Sequence, residues 1–431
     1  MKTIDKLNIA QTTRLFSNLT LDKNQLIHQP GSVIGSTALI AGTTVGAGIL
    51  ALPAVTLPTG VLPSTILLIG VWLYAVVSAL LIAEVILNGM RYSGRASNGL
   101  LAVVESTLGG VGAKATGVAY LFYHYALLIA YVSQGGKILI SAVEKIWDVP
   151  VPAWMGSTGF ALVFGGILYL GRDRFIQRLN SFFVAIVIAS FIGLLVLGVT
   201  QIHPTSLFSQ DWSELPPALS VMLVALFFHN IVPVVATQLE GDARKVRKSI
   251  VVGSAIPLTM FLLWNAVILG SVTPTMLENI SSDSSIFDPL QVLRAGDAGQ
   301  WLGILVTVFS EFAIATSFIG FFYGLRDLFK DMNLFADTSN FSLPLISVIL
   351  FPPMGFSAID PNIFFTALEY SGTFSVSILG GVIPAATAWI QRDKYKELNQ
   401  PLVPGGKLML VMTIGIALMA IALGIWELGI G

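Results

Sequence analysis

Long apolar runs alternate along this chain with short polar segments, and most runs are about as long as a helix that crosses a bilayer, roughly 20 residues. Eleven are read as transmembrane helices: 33–57, 61–88, 116–143, 153–171, 180–200, 217–238, 250–272, 300–325, 342–357, 361–390 and 408–428. The ninth is the weakest, being short and holding Pro344, Pro352 and Pro353. The runs are continuous rather than alternating in polarity, which excludes a barrel. They divide into two blocks of five, 33–200 and 217–390, with 408–428 as an extra helix and residues 1–30 as a polar tail.

Composition agrees with a membrane bundle. The chain is 55% hydrophobic and 11% charged, against about a quarter charged in a soluble protein, and its mean hydropathy is +0.81. A net charge of −1 gives no field for nucleic acid. Without cysteine there are no disulfides or thiolate sites, four scattered histidines make no zinc site, and nothing calls for a cofactor. The tail, with Lys2, Lys6, Arg14 and Lys23, has no apolar run of signal-peptide length. It is read as a loose cytoplasmic tail, the alternative being an amphipathic helix around Leu15–Leu26 on the membrane surface.

Lysine and arginine set the orientation. With the N-terminus inside, 20 of the 23 fall in cytoplasmic segments, including Arg91, Arg95, Lys114, the Arg172–Arg178 and Arg244–Lys248 groups, Arg326, Lys330 and the Arg392–Lys407 group. Lys145 and Arg294 lie outside, and Lys137 sits within the third run. An odd number of spans leaves the C-terminus outside.

Two runs are built to break. The first contains Gly42-Thr43-Thr44-Val45-Gly46-Ala47-Gly48 before Pro53. Gly42 and Gly46 also form a small-xxx-small pair, so close helix packing is the competing account. The sixth contains Phe227-Phe228-His229-Asn230-Ile231-Val232-Pro233, with proline freeing an upstream carbonyl in mid-run. Five is odd, so the second block enters the membrane from the opposite side, and interrupted helices at matching places of inverted halves point to a transporter's midplane site. Carbonyls ending the first half-helix near Gly42–Thr44 suit an ammonium or a cation. N–H groups opening the second near Gly46–Gly48 suit a carboxylate. An α-amino acid carries both charges.

The stretch Ala41–Pro53 resembles the first-span signature of the bacterial hydroxy and aromatic amino acid permeases, within the amino acid–polyamine–organocation superfamily. Phe228–Pro233, Gly253–Leu258 and Ala315–Gly320 match the same family. The resemblance implies an all-α, leucine-transporter-type 5+5 inverted repeat of eleven helices, with spans 1 and 6 broken, in the inner (plasma) membrane. It also implies uptake of tyrosine, tryptophan or phenylalanine coupled to a cation gradient, usually protons. The chain departs from the family pattern at Asn230, where glycine is frequent, at Glu311, where aspartate is common, and at Glu369, where enteric members can have glycine.

Ionisable groups at membrane depth are functional candidates. Glu311, about 16 Å into the eighth run, is read as the proton-coupling carboxylate or a structural hydrogen-bonding group. Glu369 is a second coupling candidate; Glu84 is either a third or a partner for Arg91 or a loop. His229 would bind substrate or titrate, or be a satisfied core histidine. His124 is read as packed, and Lys137 with Glu144 as an ion pair on one helix face. Thr316 and Ser317 match the place where related symporters hold sodium, although such hydroxyls also bond their own helix. Phe227, Phe228, Tyr125 and Tyr131 supply an aromatic wall. The rivals are a small neutral amino acid carrier of the same fold, possibly sodium-coupled, and a channel. No clustered polar set suggests an enzyme.

Overall fold

The computed structural model describes residues 14–22, 25–94, 99–208, 210–272, 300–331, 343–394, 401–427 and 429. Charges expected to mark orientation at Lys2, Lys6, Lys23, Arg95, Arg294 and Lys396, and the run ends at 342 and 428, lie outside the described residues. Among the described residues the elements are helical apart from an N-terminal hairpin of β1 (Leu19–Asp22) and β2 (Gln25–His28).

The helices are α1 (Val33–Thr44), α2 (Ala47–Thr56), α3 (Val61–Ser93), α4 (Leu100–Trp147), α5 (Ala153–Leu170) and α6 (Asp173–Val199). After them come α7 (Leu215–Ala225), α8 (Val232–Gln238), α9 (Ala243–Ser271), α10 (Gln300–Asp331) and α11 (Leu343–Ile359). The chain ends with α12 (Phe364–Tyr370), two π-helical segments (Ser371–Val376 and Ile378–Val382), α13 (Ile383–Lys394) and α14 (Gly406–Glu427). Among the described residues, nine helical stretches are long and apolar enough to cross a membrane, and ten when α1 and α2, bent by 51° at their break, count as one. The expected ninth run is a shorter apolar helix of 17 residues holding Pro352 and Pro353.

Local chemistry fixes the helix ends. Ser32 caps α1 by accepting from the Gly35 N–H, and Asp242 caps α9 by accepting from the N–H groups of Arg244 and Lys245 at 3.1 and 3.2 Å. The third run is longer than expected, because α4 begins at Leu100 and turns at Gly109, where φ is +72°. The amphipathic stretch before that kink is too short and polar to register as a membrane run.

Apolar side chains from nearly every helix merge into one core. Other large apolar residues point outward, such as Leu162 on α5, Val196 on α6 and Leu418 on α14, as expected of helices facing hydrocarbon. Helices α4 and α5 approach almost backbone to backbone: a Cβ on Gly136 would lie 2.5 Å from the Ser157 nitrogen. Polar ties cross the core. Trp264 of α9, fully buried, donates to the Ile49 carbonyl of α2 at 2.6 Å, and Asn265 links Thr56 and Ser64 of α2 and α3.

The N-terminal segment corrects the alternative of an amphipathic helix over Leu15–Leu26. Leu19-Thr20-Leu21-Asp22 alternates with period two, and this stretch pairs antiparallel with Gln25–His28. The hairpin segment docks on the turn after α8. Asn18 N–H donates to Glu240 Oε1 at 2.7 Å, His28 Nε2 lies 2.5 Å from the same oxygen, and Leu15 N–H donates to the Glu240 carbonyl at 2.8 Å. Burial would raise the Glu240 carboxyl, but the Asn18 N–H, His28 and Arg14 outweigh it and hold it below its ordinary value.

Candidate functional site

Helix α1 stops where Val45 donates back to Ala41, and α2 restarts at Ala47 with Gly46 as its uncapped N-terminal neighbour. The last carbonyls of one helix and the first N–H groups of the next lack partners within their own helices there. What faces this break decides its chemistry. A Cβ on Gly46 would lie 3.2 Å from the Tyr131 hydroxyl of α4 and 3.2 Å from the Ser317 hydroxyl of α10. Backbone dipoles, a phenol and an alcohol therefore meet at a glycine that leaves room beside them. Tyr131 is buried, and its ring lies 5.6 Å from that of Phe321, four residues and one turn beyond Ser317.

The second interruption lies behind the first. Helix α7 ends at Ala225, a 3-10 turn spans His229–Ile231, and α8 follows with Pro233 in its first turn. Phe227 and Phe228 are both buried, and His229 stacks between them at 4.7 and 5.3 Å. Helix α2 packs against α7, and here Gly48 has its role. A Cβ on Gly48 would fall 2.6 Å from the Ala225 Cα, so this glycine admits a neighbouring helix rather than a ligand.

Several expected site residues point elsewhere. Thr43 and Thr44 donate to Leu39 and Ile40 of their own helix, and Gly42 faces open space. Ala47 contributes backbone at the start of α2. Tyr125 reaches α11, donating to the Val348 carbonyl at 2.8 Å. Thr316 donates to Ala313 within α10. Glu311 precedes Ser317 by six residues, which puts it roughly 120° round the helix and about 9 Å along it. Glu369 lies near the end of α12. Asn230, half-buried, has a side-chain oxygen without a hydrogen-bond partner.

Glu84 has a clear structural partner. Arg392 grips it with two bonds of 2.7 and 2.8 Å, and the Leu402 N–H adds a third at 2.8 Å. Arg91, one of the partners expected, donates instead to Asn88. Lys137 donates to Asn362 at 2.7 Å, and Glu144 accepts from the Val151 N–H at 3.0 Å. His124 is buried, with Nδ1 2.9 Å from the Tyr120 carbonyl.

Sequence reasoning missed Phe321, Tyr123 and Trp264. Phe321 was signalled by its spacing of four from Ser317; Trp264, anchored to Ile49, carried no local signal.

Residues 29–422 match the tryptophan/tyrosine permease family. The chain belongs to this family. Its relatives include tyrosine-specific transport system 1 of Haemophilus influenzae, 27% identical over 91% of this chain and 96% of the relative. The tryptophan-specific transport protein of the same organism is 28% identical over 89% of this chain and 93% of the relative. Glutamine transporter 2 of Aliivibrio fischeri is 24% identical over 89% and 96%. The proteins this chain resembles thus include some named for tyrosine or tryptophan and one named for glutamine.

Proposed function

We propose that this permease imports aromatic amino acids, tyrosine, tryptophan or phenylalanine, across the inner membrane by proton symport with alternating access. The observation that carries the reading is the meeting of Gly46, Tyr131 and Ser317 at the α1–α2 break. The substrate carboxylate faces the N-terminal dipole of α2, and its ammonium faces the terminal carbonyls of α1. Its ring lies against the Tyr131–Phe321 face. The Ser317 hydroxyl beside Gly46 would equally suit sodium, which is the alternative coupling ion.

The proposed architecture is eleven spans, two inverted blocks of five plus α14, with the N-terminus cytoplasmic and the C-terminus outside. Reciprocal packing supports it: α6, the fifth span, lies on α10 and α9, much as the tenth lies on α4 and α3. Those are the eighth and seventh spans in one case and the third and second in the other.

A second reading, a carrier of small neutral amino acids, is favoured by one observation: the backbone cradle reads only the α-amino acid part. Competition for uptake of radiolabelled tyrosine into proteoliposomes separates the two. Tryptophan and phenylalanine are expected to compete far more strongly than alanine or glutamine. Equal competition by alanine would reject the aromatic assignment.

A further inference from the structure

We propose that His229 is the residue that takes up and releases the coupled proton, in a polar pocket between spans two, six and ten that is separate from the α1–α2 break. The inference rests on the proton-symport reading above and assigns its chemistry to a group.

The imidazole is 3% exposed, and neither ring nitrogen makes a well-formed hydrogen bond, although the Ala75 backbone of α3 lies within reach of the ring. A buried polar group left unpaired costs about 1–3 kcal/mol, so a fold retains one where it has a use. Other polar atoms on spans two and ten share the condition. The Tyr74 hydroxyl of α3 and the hydroxyls of Ser371 and Ser375 are buried and without hydrogen-bond partners. Tyr74 points at Gly381, and His229 and Phe227 lie against Gly380, where a Cβ would stand 3.7 Å from the imidazole and 3.3 Å from the phenyl ring. Ser375 sits one π-turn before Gly380. Span ten is π-helical over this stretch, a rare geometry that recurs at functional sites, and the Ser78 hydroxyl of α3 donates to the Gly380 carbonyl.

The pocket is wired to the break by rings. Centroid separations run 5.6 Å from Tyr131 to Phe321, 5.4 Å from Phe321 to Tyr123, 4.8 Å from Tyr123 to Phe227 and 4.7 Å from Phe227 to His229. In a close-packed interior a ring displaced at one end must displace the next. A substrate seated beside Tyr131 therefore changes the setting of His229 without touching it, which is the linkage a symporter needs.

The chemistry suits the task. A neutral imidazole carries one N–H and one lone pair; a proton from the outside water adds to the lone pair, and the same ring gives a proton up to the cytoplasmic side, returning to neutral. Titratable neighbours on the packed elements are the phenols Tyr74 from α3 and, across Phe227, Tyr123 from α4. Span ten meets His229 at Gly380, and its carboxylate, Glu369, lies more than two turns before that glycine. The other coupling candidates fit less well. Glu84 is saturated by Arg392 and a backbone N–H, and Glu311 is set roughly 120° round α10 from Ser317.

The test uses the full-length protein in proteoliposomes, with radiolabelled tyrosine followed in two assays: exchange without any gradient, and accumulation under an inward proton gradient. His229→Gln and His229→Asn both keep a polar side chain that cannot titrate near neutrality. Each is expected to exchange within about threefold of wild type yet lose accumulation by about tenfold or more, to the level seen without a gradient. Calorimetry of tyrosine binding in buffers of different ionisation enthalpy adds an arm that needs no variant: wild type should take up a proton on binding. Accumulation that survives in either variant overturns the assignment, as does loss of exchange in a folded variant, which would make His229 a substrate ligand. Wild-type binding without proton uptake also overturns it. Wild type that concentrates tyrosine only under a sodium gradient fails the proton-symport reading itself, a result visible before any variant is made.

Discussion

Two glycines two residues apart should fail in different ways. At Gly46 an added methyl group meets only the ends of two side chains, the Tyr131 and Ser317 hydroxyls, each 3.2 Å away. Both can give by a few tenths of an ångström, so Gly46→Ala should cost less than about 1 kcal/mol of stability. It would, however, fill space proposed for the carboxylate. Losing one charge-assisted hydrogen bond is worth about 1.5–3 kcal/mol, which weakens binding roughly 10- to 150-fold. At Gly48 the methyl would lie 2.6 Å from the Ala225 Cα, and backbone cannot yield so cheaply. Helix α2 would have to retreat from α7 by about 1 Å, a strain typical of overpacking at about 1–3 kcal/mol. The assays are tyrosine binding by scintillation proximity and thermal unfolding of the detergent-purified protein. Gly46→Ala should lose affinity at a near wild-type midpoint, while Gly48→Ala should melt earlier. Gly46→Ala that binds tyrosine within about threefold of wild type refutes the carboxylate cradle.

Other outcomes follow from the same geometry. Arg392→Met strands the buried Glu84 carboxylate and should destabilise by about 3–5 kcal/mol, whereas Arg392→Met with Glu84→Gln should recover most of that; equal melting of the two refutes a buried ion pair. Because Glu240 is held below its ordinary value, its contribution to N-terminal docking is present above about pH 4.3 and is lost as pH falls through the lower folded value. Hydrogen exchange at residues 14–22 should therefore stay slow at pH 6 and quicken under strong acid, and Glu240→Gln should exchange fast at both. Trp264→Phe removes the bond to Ile49 and leaves a buried carbonyl unpaired, a loss of about 1–3 kcal/mol read as a lowered melting midpoint.

The helical membrane architecture was legible in the sequence because hydrocarbon demands long uninterrupted apolar runs, and these report themselves without tertiary context. The places where a span could break were marked as well, since glycine at 46 and 48 and proline at 233 act on the backbone locally. What each glycine faces was not. Gly46 and Gly48 read alike in sequence, but one opens toward Tyr131 and Ser317 and the other receives Ala225, a distinction made by helix rotation. Tyr125 and Tyr131 looked equivalent for the same reason, yet Tyr125 bonds α11. The N-terminal hairpin escaped notice because its docking partner, Glu240, lies 222 residues beyond Asn18. The partner of Glu84 was also misjudged at short range: Arg91 was near in sequence, and Arg392 was near in space.

That last pairing has a consequence for how the protein is made. Glu84 and Arg392 are separated by 308 residues, so at about 5–20 residues per second the carboxylate waits roughly 15–60 s after synthesis for its guanidinium. Throughout that interval the nascent second span carries a charge the finished protein buries, and it must stay near the water-rich edge of the insertion machinery or be shielded there. A product that stops before Arg392 never completes the clasp. It presents a membrane helix with an unneutralised acid, the kind of feature by which quality-control proteases tell an unfinished chain from a finished one.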